Sequence, residues 1–280
     1  MAITTSGVGN SSRPVINAIP PPRARAYAAA TNDDLAAHAR GDLVPPVLTY
    51  PLVQGAGNEA LSFVVPDGDY GGPALHGEHD FRFHRPVRTE ETVTTRAEVV
   101  GVHAKRSGTT IVVHFKGVDV AGLDVVEQYL TIFVPGAIAP ESAGDTAPSH
   151  GAPDGLLNRE PIAVIEQHVD DDQTWRFCGP SGDTNPIHLY DDAAVAAGLP
   201  GIINHGMNTL AVATSGLIRE VAGADPARLA RVAVRFSSML VPGQTITTSV
   251  WDGGAGSFHF QTVDASGTVV MSDGLMEVRS

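Results

Sequence analysis

An internal repeat is the feature that most restricts how this chain can fold. The stretch "FRFHRPVRTEETVTT" in the first half is matched by "VRFSSMLVPGQTITT" in the second half. Phe83 aligns with Phe236 and Thr92 aligns with Thr245 at one constant offset. Upstream of each stretch, "YAAATNDDLAAH" can likewise be aligned with "FCGPSGDTNPIH". Two matches in the same order indicate a duplicated domain.

A stretch that is poor in large apolar residues separates the two repeats. The sequence "PGAIAPESAGDTAPSHGAPDG" is rich in Pro, Gly, Ala and Ser, so it cannot bury a core of its own. We therefore predict a flexible tail over 1–16, an N-terminal repeat over 17–136, a linker over 137–157 and a C-terminal repeat over 158–280.

The second half has the pattern of a helix packed on an antiparallel sheet. Four strand-like runs are separated by Gly or Pro signals: "RVAVRFSSML", "QTITTSVWD", "SFHFQTVD" and "TVVMSDGLMEV". Ahead of them, apolar residues in "GMNTLAVATSGLIREVAG" recur at helical spacing, which predicts a helix with one buried stripe. Together these elements predict an α+β fold. Pro and Gly interrupt the chain between Pro45 and Phe83, so we expect no comparable helix in the first half.

Charge and cysteine content limit the classes of partner. The chain has 18 basic and 31 acidic residues and a net charge of −13, which disfavours binding to nucleic acid or to a membrane surface. Cys178 is the only cysteine, so no intrachain disulfide can form and a reducing compartment is favoured. No run fits a signal peptide or a membrane span. We predict a cytoplasmic protein.

The stretch "SGDTNPIHLYDD" places two proton-transfer groups, Asp183 and His188, five residues apart. This spacing sets side chains about 140° apart on a helix and on opposite faces of a strand. Because Asn185-Pro186 is a turn signal, we predict that both groups converge from an irregular loop and activate a water. The long helix then begins at "NHG", where free N–H groups suit a developing oxyanion. Such a site can add water to a double bond conjugated to a carbonyl, or remove water to form one.

A family resemblance rests on "SGDTNPIHLYDDAAVAAGLPGIINHGMNTLAV". This stretch closely resembles the signature of R-specific enoyl-CoA hydratases, the MaoC-like dehydratases with the hotdog fold. The resemblance extends more weakly over "ARVAVRFSSMLVPGQTITT", and "PALHGEHDFRFHRPV" looks like the amino-terminal repeat of two-hotdog members. It implies a double hotdog: two antiparallel sheets, one per half, with a long central helix in the C-terminal half.

The resemblance also implies a reaction, the reversible syn hydration of a trans-2-enoyl-CoA to the (3R)-3-hydroxyacyl-CoA in fatty-acid or related acyl-thioester metabolism. Asp183 and His188 would activate the water, and the Gly206 amide would bind the thioester oxygen. No metal or redox cofactor is implied, since coenzyme A or an acyl-carrier arm arrives with the substrate. Further candidates for substrate binding are Asn185, Asn204, His205 and Arg235.

Some of these roles remain alternatives at this point. Asn185 is more simply a brace for the loop, and His205 a hydrogen-bonding residue at the helix start. Arg235 and Arg231 either meet the coenzyme A phosphates or are solvated strand residues. The expected binding partner is an acyl-CoA, and an acyl-carrier protein is the alternative. By analogy with the family, the chain could also form a homodimer. Competing functions are a hotdog thioesterase and a non-catalytic acyl-thioester-binding subunit. Both are disfavoured because the motif from Asp183 to His188 in the second half is intact.

The first half departs from the signature. Asp33 and His38 keep the five-residue spacing, but Leu35 and Ala36 replace Asn-Pro. The stretch "DDLAAHA" therefore predicts an ordinary helix in which the two groups point apart, and we expect this half to be catalytically silent. In its expected lack of a central helix, this half resembles two-hotdog members. In those proteins, the space left by the missing helix accommodates a long or bulky acyl chain.

Overall fold

The structure, a computed structural model, describes residues 3–70 and 73–280. Its internal contacts divide the chain into two compact units. The first unit comprises Met1–Ala18, Leu52–His84 and Glu91–Ser149. The second unit comprises Ile19–Pro51, Arg85–Glu90 and His150–Ser280. The second unit thus includes Ile19–Pro51, a segment of the first half of the chain. The division into a tail, two repeats and a linker, with boundaries at 17, 137 and 158, stays a prediction.

Helices and strands occur in separate runs along the chain, and in each half most strands follow the helices. The α-helices of the described residues are α1 (Pro21–Ala30), α2 (Ala36–Arg40), α3 (Gln54–Ser62), α4 (Gln173–Ser181), α5 (Asp191–Ala196) and α6 (Gly206–Val221). The strands are β1 (Val15–Ala18), β2 (Leu75–Phe83), β3 (Thr92–Lys105), β4 (Gly108–Val118), β5 (Asp124–Pro135), β6 (Ala143–Gly144), β7 (Ala163–Val169), β8 (Leu229–Phe236), β9 (Gln244–Gly254), β10 (Ser257–Val263) and β11 (Val269–Val278). Short 3₁₀ turns lie at Pro46–Thr49, Leu156–Asn158, Pro186–His188 and Pro226–Arg228. No helix within residues 3–70 and 73–280 combines the length and hydrophobicity that crossing a membrane requires.

The first unit is an antiparallel sheet with a short helix on it. The strands follow the order β1-β3-β4-β5-β2, and β6 pairs with β3. Helix α3 packs on β3 and β4. A side chain on Gly57 would come within 3.0 Å of the Phe115 ring, so this close approach requires glycine. We expected no helix comparable to the long one of the second half here, and α3 has 9 residues against 16 in α6.

The second unit is a five-stranded sheet in the order β8-β11-β10-β9-β7, with every neighbouring pair antiparallel. The four strand-like runs of the second half correspond to β8, β9, β10 and β11, as predicted. The strand β7 was not predicted, because it follows the Pro- and Gly-rich stretch without a turn signal of its own.

Helix α6 is more deeply buried than its sequence pattern indicates. The pattern predicts one buried stripe, but every residue from Met207 to Ile218 is buried. One side of the helix packs on β7 and β8, and the 3₁₀ turn at Pro46–Thr49 packs against it as well. Gln167 on β7 donates from Nε2 to the Val212 carbonyl at 2.7 Å. Contacts with β7, β8 and the 3₁₀ turn therefore hold α6 in place.

Candidate active site

The loop after α4 turns through two side-chain contacts to the backbone. Helix α4 ends before Gly182, which adopts the left-handed conformation (φ 82°) that glycine accommodates without strain. Asp183 Oδ1 then accepts a hydrogen bond from the Asn185 amide at 3.1 Å. Asn185 Oδ1 accepts from the Ile187 amide at 3.4 Å, which caps the 3₁₀ turn at Pro186–His188. The irregular loop that the spacing predicted is present, and it carries His188 back toward Asp183.

The tautomer of His188 is fixed by a backbone contact. Its Nδ1–H donates to the Ile203 carbonyl at 2.8 Å, so in the neutral imidazole Nε2 is the acceptor. Burial lowers the pKa of His188 below its ordinary value of 6.5, although the Ile203 hydrogen bond and the Asp183 charge oppose that shift. At neutral pH the side chain is therefore an uncharged base.

His205 packs directly against this imidazole. The two ring centroids are 3.9 Å apart, and His205 Nε2 donates to the backbone carbonyl of Asp183 at 3.3 Å. Burial, together with the adjacent His188, lowers the pKa of His205 to about 4. One side-chain atom from each of Asp183, His188 and His205 lies within 4.8 Å of the other two, a spacing at which they can share a small ligand such as a water or a cation.

The first turn of α6 begins with an exposed residue beside these groups in sequence. Gly206 follows His205 directly, begins the helix and is exposed. As one of the first four residues of the helix, its N–H has no acceptor within the helix. A Cβ at this position would lie 3.3 Å from the Phe236 ring, which is closer than most side-chain contacts. Glycine therefore leaves both the amide and the packing of Phe236 undisturbed.

The other candidate residues are held by contacts with side chains of the protein. Asn204 is buried and donates from Nδ2 to Thr209 Oγ1 at 2.9 Å, an interaction that stabilises the start of α6. Arg235 on β8 pairs through Nε with Asp273 at 2.9 Å, and its side chain is half exposed. Arg231 is buried and pairs with Glu277. Substrate binding by Asn204 and Arg235 stays a prediction.

The expectation that Asp33 and His38 point apart is wrong. Helix α2 begins only at Ala36, because Asp33 Oδ1 accepts from the Leu35 amide at 3.0 Å and delays the helix. Asp33 Oδ2 then accepts from His38 Nδ1 at 2.6 Å, with only 8% of Asp33 and 1% of His38 exposed. An aspartate contact to the backbone here produces the turn that Asn-Pro produces in the second half. Catalytic silence of this pair stays a prediction.

Two contacts around the site have no signal in the local sequence. The Ile203 carbonyl that orients His188 is a backbone atom, so no residue type identifies it. Arg23 on α1 donates from Nε to the Pro180 carbonyl at 2.9 Å and from Nη2 to the Ser181 carbonyl at 3.4 Å. A cationic residue near the end of α4 would have been the usual signal for capping these carbonyls, but Arg23 comes from a distant part of the sequence.

Comparisons with known proteins identify the family. A model described as a MaoC-like domain matches residues 154–274, and one described as the MFE-2 hydratase 2 N-terminal domain matches residues 46–136. The 3-hydroxyacyl-thioester dehydratase Y of Mycobacterium tuberculosis is 30% identical over 212 residues, which cover 72% of this chain and 72% of that protein. This chain belongs to the MaoC-like dehydratase family. The predicted family is thus confirmed.

One similar protein is much longer than this chain, whereas two solved structures match it over nearly their full length. The peroxisomal multifunctional enzyme type 2 of Drosophila melanogaster is 29% identical over 246 residues, which cover 85% of this chain but 40% of that enzyme. The chain thus spans less than half of that relative. The crystal structure of a MaoC-like dehydratase from Phytophthora capsici matches with a TM-score of 0.84 at 25% identity, over 98% of both chains. A Mycobacterium tuberculosis protein described as having a double hotdog fold matches with a TM-score of 0.61 at 16% identity, over 97% of this chain and 96% of that one. The predicted double hotdog fold is confirmed.

Proposed function

We propose that this protein is a hydro-lyase that reversibly adds water to a trans-2-enoyl-CoA and forms the (3R)-3-hydroxyacyl-CoA. The observation that carries the proposal is the convergence of Asp183 and the free Nε2 of His188 in one loop, next to the accessible start of α6. Family membership supports a hydration or dehydration reaction, since relatives are named enoyl-CoA hydratase 2 and 3-hydroxyacyl-thioester dehydratase.

Asp183 and His188 hold the water and move its protons. As the water oxygen bonds to C3 of the enoyl group, one of the two groups takes a proton from the water. A proton is then delivered to C2 on the same face of the double bond, so the product gains one water and both residues regain their starting states. The lowered pKa of His188 supports its part as a base, because the imidazole is uncharged at neutral pH.

The start of α6 stabilises the charge that develops on the substrate. Attack at C3 moves electron density onto the thioester oxygen, which becomes enolate-like. The Gly206 N–H donates to that oxygen, and the positive end of the helix dipole adds to the stabilisation. His205 packs on the His188 ring and donates to the Asp183 backbone carbonyl, so it fixes the position of the two catalytic groups relative to each other. Asn185 braces the loop.

Coenzyme A is the carrier that the charge balance favours. Acyl-carrier proteins are acidic in general, so a chain with a net charge of −13 would need a local basic patch to bind one. If Arg235 binds the phosphates, it must exchange its Asp273 partner for them. A cytoplasmic location and a homodimer stay predictions, and four matched relatives are named as peroxisomal.

An assay with short, medium and long trans-2-enoyl-CoA substrates tests the proposal. We expect loss of the absorbance of the conjugated thioester and, on chiral analysis, a (3R) product. Release of free thiol instead would indicate a thioesterase, and tight binding without turnover would indicate a binding subunit. Absence of any absorbance change would contradict the coenzyme A hydratase, and carrier-bound substrates would then be assayed.

The pH dependence of kcat/KM should reflect the neutral state of His188. Because burial lowers the pKa of His188, the neutral base persists below pH 6.5 and activity is kept from neutral pH down to that lowered pKa. We expect an acid limb with an apparent pKa below 6.5, measured while circular dichroism verifies that the protein stays folded. An acid limb centred above 6.5 would show that burial of His188 does not control the reaction.

A further inference from the structure

The helix α1 belongs to a segment that neither family model matches. The matched residues are 46–136 and 154–274, whereas α1 spans Pro21–Ala30. Nevertheless, α1 lies in the same compact unit as the candidate active site and packs along α4, the helix that leads into the Asp183 loop. Contacts between α1 and α4 therefore bear on how Asp183 is placed.

The end of α1 holds the beginning of α4. Gln173, the first residue of α4, is fully buried and donates from Nε2 to the Ala30 carbonyl at 2.6 Å. Asn32, just beyond α1, donates from Nδ2 to Gln173 Oε1 at 3.3 Å. Arg176 on α4 donates to Asn32 Oδ1 at 3.2 Å. These contacts fix the first turn of α4 on the last turn of α1.

The beginning of α1 holds the end of α4 through one side chain. Arg23 donates from Nε to the Pro180 carbonyl at 2.9 Å and from Nη2 to the Ser181 carbonyl at 3.4 Å. Both carbonyls belong to the last turn of the helix, where they lack partners within the helix. A guanidinium there satisfies the carbonyls and interacts favourably with the negative end of the helix dipole.

These carbonyls immediately precede the catalytic carboxylate. Ser181 and Asp183 are separated only by Gly182, whose left-handed conformation provides the turn. Ser181 Oγ in turn accepts from the Asp183 amide at 3.1 Å. A shift of the last turn of α4 would therefore move Asp183 relative to His188. Catalysis depends steeply on such placement, since a misplacement of about 1 Å can cost about 10²-fold in rate.

We propose that Arg23 is a positioning residue, which acts on the reaction through Asp183 by fixing the end of α4. The inference rests on the hydratase function proposed above. It predicts that the loss of the Arg23 donors lowers kcat more than it changes KM, because these donors bind the Pro180 and Ser181 carbonyls. It also predicts partial rescue by lysine, which restores the charge and a donor but not the planar fork.

The test compares Arg23→Met, Arg23→Lys and Arg25→Met. Methionine keeps the length and apolar contacts of the side chain, and Arg25 is an exposed control on the same helix that contacts the Arg40 carbonyl. For Arg23→Met we expect kcat to fall by about 10- to 100-fold and KM to change by less than about threefold. The Arg23→Lys variant should have an intermediate kcat, and Arg25→Met should match the wild type.

A second measurement separates positioning from folding and from the proposed function. Hydrogen exchange of the amides of Gly182, Asp183, Asn185 and Ile187 should be faster in Arg23→Met and unchanged in Arg25→Met, whatever the substrate is. Wild-type kcat together with unchanged exchange in Arg23→Met would overturn the positioning role. A lowered melting temperature with an unchanged kcat per folded molecule would also overturn it and leave a structural role. Absence of turnover in the wild type would overturn the hydratase proposal alone, and the exchange experiment would still decide the role of Arg23.

Discussion

Replacing Asp183 with asparagine should lower kcat for enoyl-CoA hydration by about 10²- to 10⁴-fold, the usual contribution of a general acid or base. Asparagine keeps the Oδ1 acceptor that binds the Asn185 amide, so the loop is expected to retain its turn. What it removes is the ability of the side chain to gain and lose a proton. The measurement is turnover of the best enoyl-CoA substrate by wild type and variant.

A matched control for this substitution lies on the neighbouring helix. Asp192 is exposed on the first turn of α5, so Asp192→Asn makes the same chemical change outside the proposed catalytic pair. We expect Asp192→Asn to retain the wild-type rate. If Asp183→Asn retained more than about a tenth of the wild-type kcat, Asp183 would not be the catalytic acid or base, since even one such group contributes more.

The fold and the centre of the site could be predicted from local patterns. The runs that became β8 to β11 are dense in β-branched and apolar residues, and Gly or Pro separates them, so period and turn chemistry agree. The loop of Asp183 could be predicted because Asn185-Pro186 excludes helix at that point. In both cases the residues that determine the structure are neighbours in the sequence.

What could not be predicted depends on contacts between distant segments. The burial of α6 from Met207 to Ile218 requires the 3₁₀ turn at Pro46–Thr49, which has no helical period to indicate it. The Arg23 contacts likewise appear only when α1 packs on α4. The contact between Asp33 and His38 is difficult to predict for another reason. Helix propensity of "DDLAAHA" favoured an early helix, but the bond from Asp33 to the Leu35 amide competes with it.

The Asp33–His38 pair should contribute strongly to stability. In His38→Leu the Asp33 carboxylate would stay buried and keep only the Leu35 amide as a hydrogen-bond donor. Leaving a buried acceptor without one of its donors costs about 1–3 kcal/mol, so we expect the free energy of unfolding to fall by roughly that amount. Urea denaturation of wild type and variant measures this difference, and kcat per folded molecule should not change if the pair is catalytically silent.

A double substitution distinguishes a lost pair from a poorly packed leucine. In Asp33→Asn/His38→Leu the stranded charge is gone, whereas the asparagine Oδ1 can still accept from the Leu35 amide. The double variant should therefore be more stable than His38→Leu alone, a sign of coupling between the two positions. His168→Leu is the control, because the His168 side chain is 54% exposed and its loss should cost less than about 1 kcal/mol. Equal stability of the single and double variants would show that the cost comes from packing and that the buried carboxylate does not need the imidazole.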